Sequence, residues 1–231
     1  MKKIFTFALA LAACICVVNL WSCSNKQKSA QPAAEQDEAC ADSMPCCPPL
    51  GYHVDFQPLG IFSRKEAEEL RTEFVKQLQL LYRDYTKAEI EASVFVNENK
   101  PIPASCYYQP RGRYRAGDIL KWLQQENGGD PEVVTIGVTN SDISTSIHGK
   151  KDYGIMGLSL RPGGACVVST YRLKRKDDLW KVTLHEFLHS RGLPHCRKDN
   201  PTCIMQDAHG KNTFYKKHGL CADCKKALVR R

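Results

Sequence analysis

The stretch Asp178–Met205, DLWKVTLHEFLHSRGLPHCRKDNPTCIM, sets His185, Glu186, His189, Gly192 and His195 in the pattern HExxHxxGxxH. A helix turns about 100° and rises about 1.5 Å per residue, so positions four apart share a face. His185 and His189 can therefore offer imidazole nitrogens to one metal ion. Glu186, one residue on, reaches beside that ion rather than onto it, the arrangement a zinc hydrolase needs. Asp177 or Asp178 is placed to cap the helix, and Trp180, Leu184, Phe187 and Leu188 form an apolar stripe that faces a core. Gly192 suits the left-handed residue that ends a helix, letting the chain turn so that His195 supplies a third ligand. By average residue usage these five positions coincide on the order of once in 10⁵ chains of this length, so chance is set aside.

Composition sets the frame around this helix. The chain has 231 residues, 42% hydrophobic and 25% charged, as in an ordinary soluble domain. Its formal charge of +8 falls to about +6 once Lys2 and Lys3 are subtracted. The basic groups are scattered (Arg111, Arg113, Arg115; Lys174, Arg175, Lys176; Lys225 to Arg231) and no nucleic-acid motif accompanies them. They read as solvated surface, and no nucleic-acid partner is expected.

Residues 1–22 read as an export signal: Lys2 and Lys3, then the apolar run Ile4 to Leu20. Leu20-Trp21-Ser22-Cys23 resembles a bacterial lipobox, which makes Cys23 the acylated N-terminus of a lipoprotein. Plain secretion or a retained anchor helix are the alternatives. Residues 23–50, rich in Ser, Gln, Ala, Pro and acidic groups, read as a flexible tether from membrane to folded domain. The expected location is the bacterial cell envelope, lipid-anchored, with the folded domain outside the cytoplasm. Of 12 cysteines, Cys14 and Cys16 leave with the signal and Cys23 takes lipid. Cys40, Cys46, Cys47, Cys106, Cys166, Cys196, Cys203, Cys221 and Cys224 then meet an oxidising compartment.

From Gly51 the pattern is globular. Tyr52 to Leu59 reads as a strand; Ser63 and Glu66 make a capping box for a helix carrying Ala67, Leu70, Phe74, Leu78 and Leu81. Ile90, Ala92, Val94 and Val96 alternate as a second strand, and Tyr114 to Gln125 reads as a helix. Val133 to Val138 is a buried central strand. Ile155 to Leu160 and Cys166 to Tyr171 flank the turn Arg161-Pro162-Gly163-Gly164 as a hairpin, and a short basic helix ends the chain. Strands alternating with helices predict an α/β domain, residues 51–231, with a small, twisted, mostly parallel mixed sheet and no internal repeat.

HEFLHSRGLPH followed by Met205 resembles a metzincin, the zinc-peptidase clan with a methionine turn at its metal site. The continuation through Cys196, Cys203, Met205, Cys221 and Cys224 is similar to the signature of the archaemetzincins (archaelysins). QPLG at Gln57 to Gly60, RGRYRAGDIL at Arg111 to Leu120 and the run Val167 to Leu173 resemble that family too. The spacers between Cys196 and Cys203 and between Met205 and Cys221 depart from the family's usual lengths, a change that costs little loop entropy. The export signal is a further departure.

The resemblance implies a metzincin-like α+β fold, His185, His189 and His195 as ligands of a catalytic zinc, and Met205 as the apolar floor beneath them. It implies a structural zinc on Cys196, Cys203, Cys221 and Cys224, hence two Zn²⁺; exported cysteines could instead oxidise to disulfides. Chemistry asks for the same roles: zinc brings the pKa of water from about 15.7 towards 7, and Glu186 serves as general base and then acid during peptide hydrolysis. Tyr153 and Tyr215 are candidates to stabilise the oxyanion. His53, His148, His209 and His218 read as surface or loop groups. By analogy, Ile155 to Leu160 is the edge strand along which a peptide lies. A monomer acting on peptide or protein substrates is expected, with amino- and endopeptidase action both open. The alternatives are a catalytically silent zinc-binding envelope protein, and a thiol-disulfide protein using Cys221 and Cys224.

Overall fold

The computed structural model describes residues 51–147, 149–209 and 211–229. The segments expected to be an export signal and a tether, with Cys23, Cys40, Cys46 and Cys47, and His148 lie outside the described residues. In chain order the elements are β1 (His53–Leu59), α1 (Arg64–Leu81), α2 (Lys87–Glu91), β2 (Val94–Val96), β3 (Tyr107–Tyr108), β4 (Arg113–Arg115), α3 (Ala116–Glu126), β5 (Val133–Thr139), β6 (Ile143–Ile147), β7 (Lys150–Ile155), β8 (Gly157–Ser159), β9 (Ala165–Ser169), α4 (Leu179–Ser190) and α5 (Ala222–Val229). The expected mixed, mostly parallel sheet is present, in the order β2-β1-β5-β9-β8. Its first four strands run parallel, and β8 returns antiparallel to β9, pairing Gly157 with Val168 and Ser159 with Cys166.

Alternation along β5 explains the layers. Val134, Ile136 and Val138 point to one face, where they join Phe56, Phe74 and Phe187 under α1 and α4. The Phe74 ring meets Phe56 and Phe187 edge-on, at centroid distances of 5.3 and 5.2 Å. Burying each ring stabilises the fold by roughly 1.5–3 kcal/mol, and each edge-on pair adds about 1 kcal/mol. The other face holds Leu59, Val167 and the α3 residues Ile119, Leu120 and Leu123. There Gly137 is required by packing: a β-carbon would stand 2.7 Å from the Leu123 side chain.

Five local expectations are corrected. Thr86 and Glu89 form a second capping box, so Ile90 belongs to α2 and the strand is confined to Val94–Val96. The helix expected from Tyr114 starts at Ala116, because Arg113–Arg115 pairs with β3 and β6 as β4. A second sheet, β3-β4-β6-β7, includes Ile143–Ile147 and Lys150–Ile155, whose polar alternation gives little strand signal; Ile155 therefore ends β7, and the strand expected from Ile155 to Leu160 is confined to Gly157–Ser159. Asp178 does not cap α4. Its carboxylate is buried and takes hydrogen bonds from Lys181 Nζ (2.8 Å) and Arg175. The expected stripe on α4 is also too narrow: the helix is buried on all sides except at half-buried Trp180, because it lies between the sheet and the C-terminal segment.

Candidate metal centre

Helix α4 carries His185, Glu186 and His189 and ends in a Schellman motif. Gly192 N–H donates to the His189 carbonyl (2.8 Å) and Leu193 N–H to the Leu188 carbonyl (2.9 Å), with Gly192 at φ +85°. This turn reverses the chain and returns His195 to the helix. Cys196 N–H then closes on the Met205 carbonyl at 2.7 Å, tying the third histidine to the methionine turn. Ring centroids stand 4.4 Å (His185–His189), 4.6 Å (His189–His195) and 5.4 Å (His185–His195) apart. One nitrogen from each ring lies within 4.8 Å of the others.

Hydrogen bonding fixes two tautomers. His185 Nδ1 is 2.8 Å from the Ile204 carbonyl and His189 Nδ1 is 2.7 Å from the Leu193 carbonyl. A carbonyl only accepts, so each Nδ1 carries the proton and each Nε2 keeps its lone pair. His189 Nε2 is fully buried with no hydrogen-bond partner among the described residues. Burial holds all three imidazoles below their usual pKa, His189 at about 3 with the Arg161 charge adding to the effect. Neutral imidazoles with committed Nδ1 protons and a lone pair without a partner are the donor set that a divalent transition metal requires.

Glu186 is buried beside them, and burial lifts its carboxyl to about 7. Ser159 on β8 donates its hydroxyl to Glu186 Oε2 at 3.0 Å. Gly157 leaves room for the carboxylate. Glu186, His185 and His195 line a cleft of about 360 Å³ whose walls include Tyr153, Met156, Arg161 and Phe214. A larger groove of about 540 Å³, lined by Glu66, Glu69, Glu73 and Trp180, holds none of these histidines.

The four late cysteines converge as well. Cys196 and Cys221 sulfurs are 3.7 Å apart, Cys203 and Cys224 sulfurs 3.8 Å, and all four lie within 4.8 Å of one another. Four thiolates about 2.3 Å from a zinc ion at the corners of a tetrahedron stand about 3.8 Å apart, whereas a disulfide needs about 2.05 Å. The donor geometry therefore fits a Cys₄ zinc and holds no disulfide. Cys106 and Cys166 are free thiols buried in different apolar clusters.

Met205 is completely buried in the cluster that contains Phe187, Ile204 and Phe214. Of the tyrosines, Tyr153 lines the cleft, while Tyr215 is exposed and faces Lys174 and Lys216. His209 and His218 are surface groups, as expected. His53 differs: it is half-buried at the start of β1 against Phe95. Sequence reasoning missed Ser159, Phe214 (edge-on to His185 at 5.8 Å), Asp207 and Lys217. Asp207 Oδ2 lies 3.7 Å from His195 Nδ1. Lys217 is buried, with its ammonium donating to the Ile204 carbonyl at 2.9 Å and to the Gln206 carbonyl. None of these four carries a spacing signal; each reaches the site through tertiary packing.

An HExxHxxGxxH helix joined by a glycine turn to its third histidine, above a buried methionine turn, is the arrangement that the resemblance to metzincins implies. Comparison with known proteins narrows it. An archaemetzincin of Halobacterium salinarum is 28% identical over 154 residues, 60% of this chain and 84% of the relative. The crystal structure of an archaemetzincin from Methanopyrus kandleri superposes with a TM-score of 0.59 at 21% identity, covering 78% of this chain and 94% of that one. A zinc-dependent peptidase from Methanocorpusculum labreanum gives 0.57 at 19%, covering 76% and 99%. No family profile matches the chain. Its fold is that of the archaemetzincin structures, and its sequence is similar to curated archaemetzincins.

Proposed function

We propose that the chain is a zinc-dependent peptidase whose catalytic ion is held by His185, His189 and His195. The observation that carries this reading is the buried, unpartnered Nε2 of His189, set beside two further imidazoles and the Glu186 carboxylate. The chemistry zinc supplies in such a site is Lewis acidity, which brings water towards a pKa of about 7 and polarises a carbonyl. Glu186 does the proton work. Its Oε2 is steadied by Ser159, and the carboxylate accepts the proton of attacking water and returns it to the leaving amine. β8, at the end of its sheet, offers backbone groups to an extended peptide laid as a further strand. The cleft beside it accommodates that peptide's side chains.

Cys196, Cys203, Cys221 and Cys224 are assigned to a second, structural zinc. Residues 1–22 are assigned to export and Cys23 to lipid attachment, placing the catalytic domain, 51–231, outside the cytoplasm as a monomer tethered to a bacterial envelope membrane. Among the described residues no helix is long and apolar enough to cross a membrane.

Peptide hydrolysis by the purified, zinc-loaded chain and by Glu186→Ala tests the catalytic reading. A large loss in the variant at unchanged zinc content supports it; equal rates leave only a zinc-binding protein. Fatty-acid labelling of cells expressing wild type or Cys23→Ala tests the anchor, which is refuted if both label alike.

A further inference from the structure

Three cations line the cleft beside the histidines: Arg161, Arg172 and Lys217. Two are committed elsewhere. Arg172 makes a two-pronged pair with Asp142, at 2.7 and 2.8 Å. Lys217 donates to the Ile204 and Gln206 carbonyls. The cleft carboxylates are committed too: Glu186 is held by Ser159, and Asp207 stands between His195 and His209. Arg161 alone of these charged groups makes no hydrogen bond, ion pair or stacking contact among the described residues.

The backbone that carries it is nevertheless fixed. Arg161 lies two residues beyond the end of β8, in the turn that leads to β9. That turn is closed by Leu160 N–H to the Ala165 carbonyl at 3.0 Å and pinned to the end of α4 by Gly163 N–H to the Ser190 carbonyl at 3.1 Å. Two glycines allow the tight packing: a β-carbon on Gly164 would stand 2.8 Å from the Val133 carbonyl oxygen, and one on Gly163 2.4 Å from Leu160 Cβ. The side chain is exposed, yet its charge is close enough to bear on Glu186, His189 and His195. A guanidinium offers a planar fork of donors that matches a carboxylate in two parallel hydrogen bonds.

We propose that Arg161 is a specificity-determining residue, selecting peptides with a carboxylate close to the scissile bond. This rests on the peptidase reading above and names its substrate class. The carboxylate can come from an Asp or Glu side chain or from the substrate's free C-terminus. Both would dock on the same guanidinium at the end of the edge strand. The basic character of the cleft disfavours Lys or Arg at the same position, because like charges brought together in a confined site repel.

The test uses the zinc-loaded full chain with a fluorogenic peptide of neutral side chains. Glu, Gln or Lys is placed in turn at each position around the cut, and each peptide is made as free acid and as C-terminal amide. At one position Glu exceeds Gln in kcat/KM by on the order of tenfold, and Lys falls below Gln. A preference confined to the free acids instead assigns the carboxylate to the C-terminus. In Arg161→Gln the ratio of Glu to Gln peptide collapses to one; in Arg161→Glu the order of Glu and Lys inverts, which a merely structural role would not produce. Equal rates for Glu, Gln and Lys peptides, with free acids and amides alike, overturn the proposal while leaving the peptidase reading intact. If no peptide is cut, the peptidase reading fails, and binding of the same labelled peptides followed by anisotropy decides this one. Tighter binding of the carboxylate peptide, lost in Arg161→Gln, supports it; charge-indifferent binding refutes it.

Discussion

Gly157 lies flat against the side chain of Glu186: a β-carbon at position 157 would stand 2.6 Å from Glu186 Cγ and 2.9 Å from Oε1. The edge strand thus shapes the slot for the carboxylate. Gly157→Ala is expected to push Glu186 out of line by a fraction of an ångström to an ångström, lowering kcat on the order of 10²-fold. Zinc content should remain that of the wild type, since none of the histidines moves. Steady-state kinetics with metal analysis on the same sample checks this; wild-type turnover in the variant would show that the slot has no role.

Lys217 is a buried amine with no carboxylate partner among the described residues, placed over the Phe214 ring at 4.5 Å and bonded to two carbonyls of the methionine turn. Lys217→Met keeps most of the volume but strips a donor from the Gln206 carbonyl. The expected loss is roughly 1–3 kcal/mol in unfolding free energy. The Ile204 carbonyl retains His185 Nδ1 as a donor. Urea titration of variant and wild type measures the difference, and coincident curves would dispose of the idea.

The cysteine cluster predicts two zinc ions per chain when protein is prepared under reducing conditions. Cys224→Ser should hold one, and its thermal midpoint should fall, because a closed metal site contributes folding free energy directly. Mass spectrometry of protein prepared without reductant provides the contrary outcome. Two disulfides among Cys196, Cys203, Cys221 and Cys224, with one zinc per chain, would replace the Cys₄ assignment.

Tyr52 and Tyr82 predict a fall in stability at alkaline pH. Their hydroxyls are 3.4 Å apart, and burial raises both phenols above the usual 10, reinforced at Tyr52 by its neighbour. The folded state therefore keeps protons that the unfolded chain releases above about pH 10, so stability present below that pH declines as pH climbs past it. Denaturant midpoints at pH 8, 10 and 11 should drop for the wild type and less steeply for Tyr52→Phe. Parallel slopes would locate the alkaline sensitivity elsewhere.

The metal-binding pattern was readable because helical periodicity and glycine turns are local: His185, His189 and Gly192 reveal themselves by spacing alone. The capping box at Ser63 and the buried strand Val133–Thr139 were readable for the same reason. Thr86 and Glu89 offered an equally local signal that the apolar alternation from Ile90 to Val96 outweighed. β6 and β7 were missed because their alternation is polar on a sheet packed less deeply than the main one. Ser159 and Lys217 were beyond sequence reasoning, since each acts on a residue far away in the chain. The distances among the four sulfurs likewise exist only once the chain between residues 196 and 224 has folded back.

His195 and Cys196 are neighbours in sequence, yet each faces a different cluster of ligands, and Cys196 shares its own with the start of α5. Synthesis delivers His185 and His189 well before Cys221 and Cys224. The histidine cluster is therefore complete in sequence at residue 195, and the cysteine cluster closes only when residues 221 and 224 fold back onto the segment beside it.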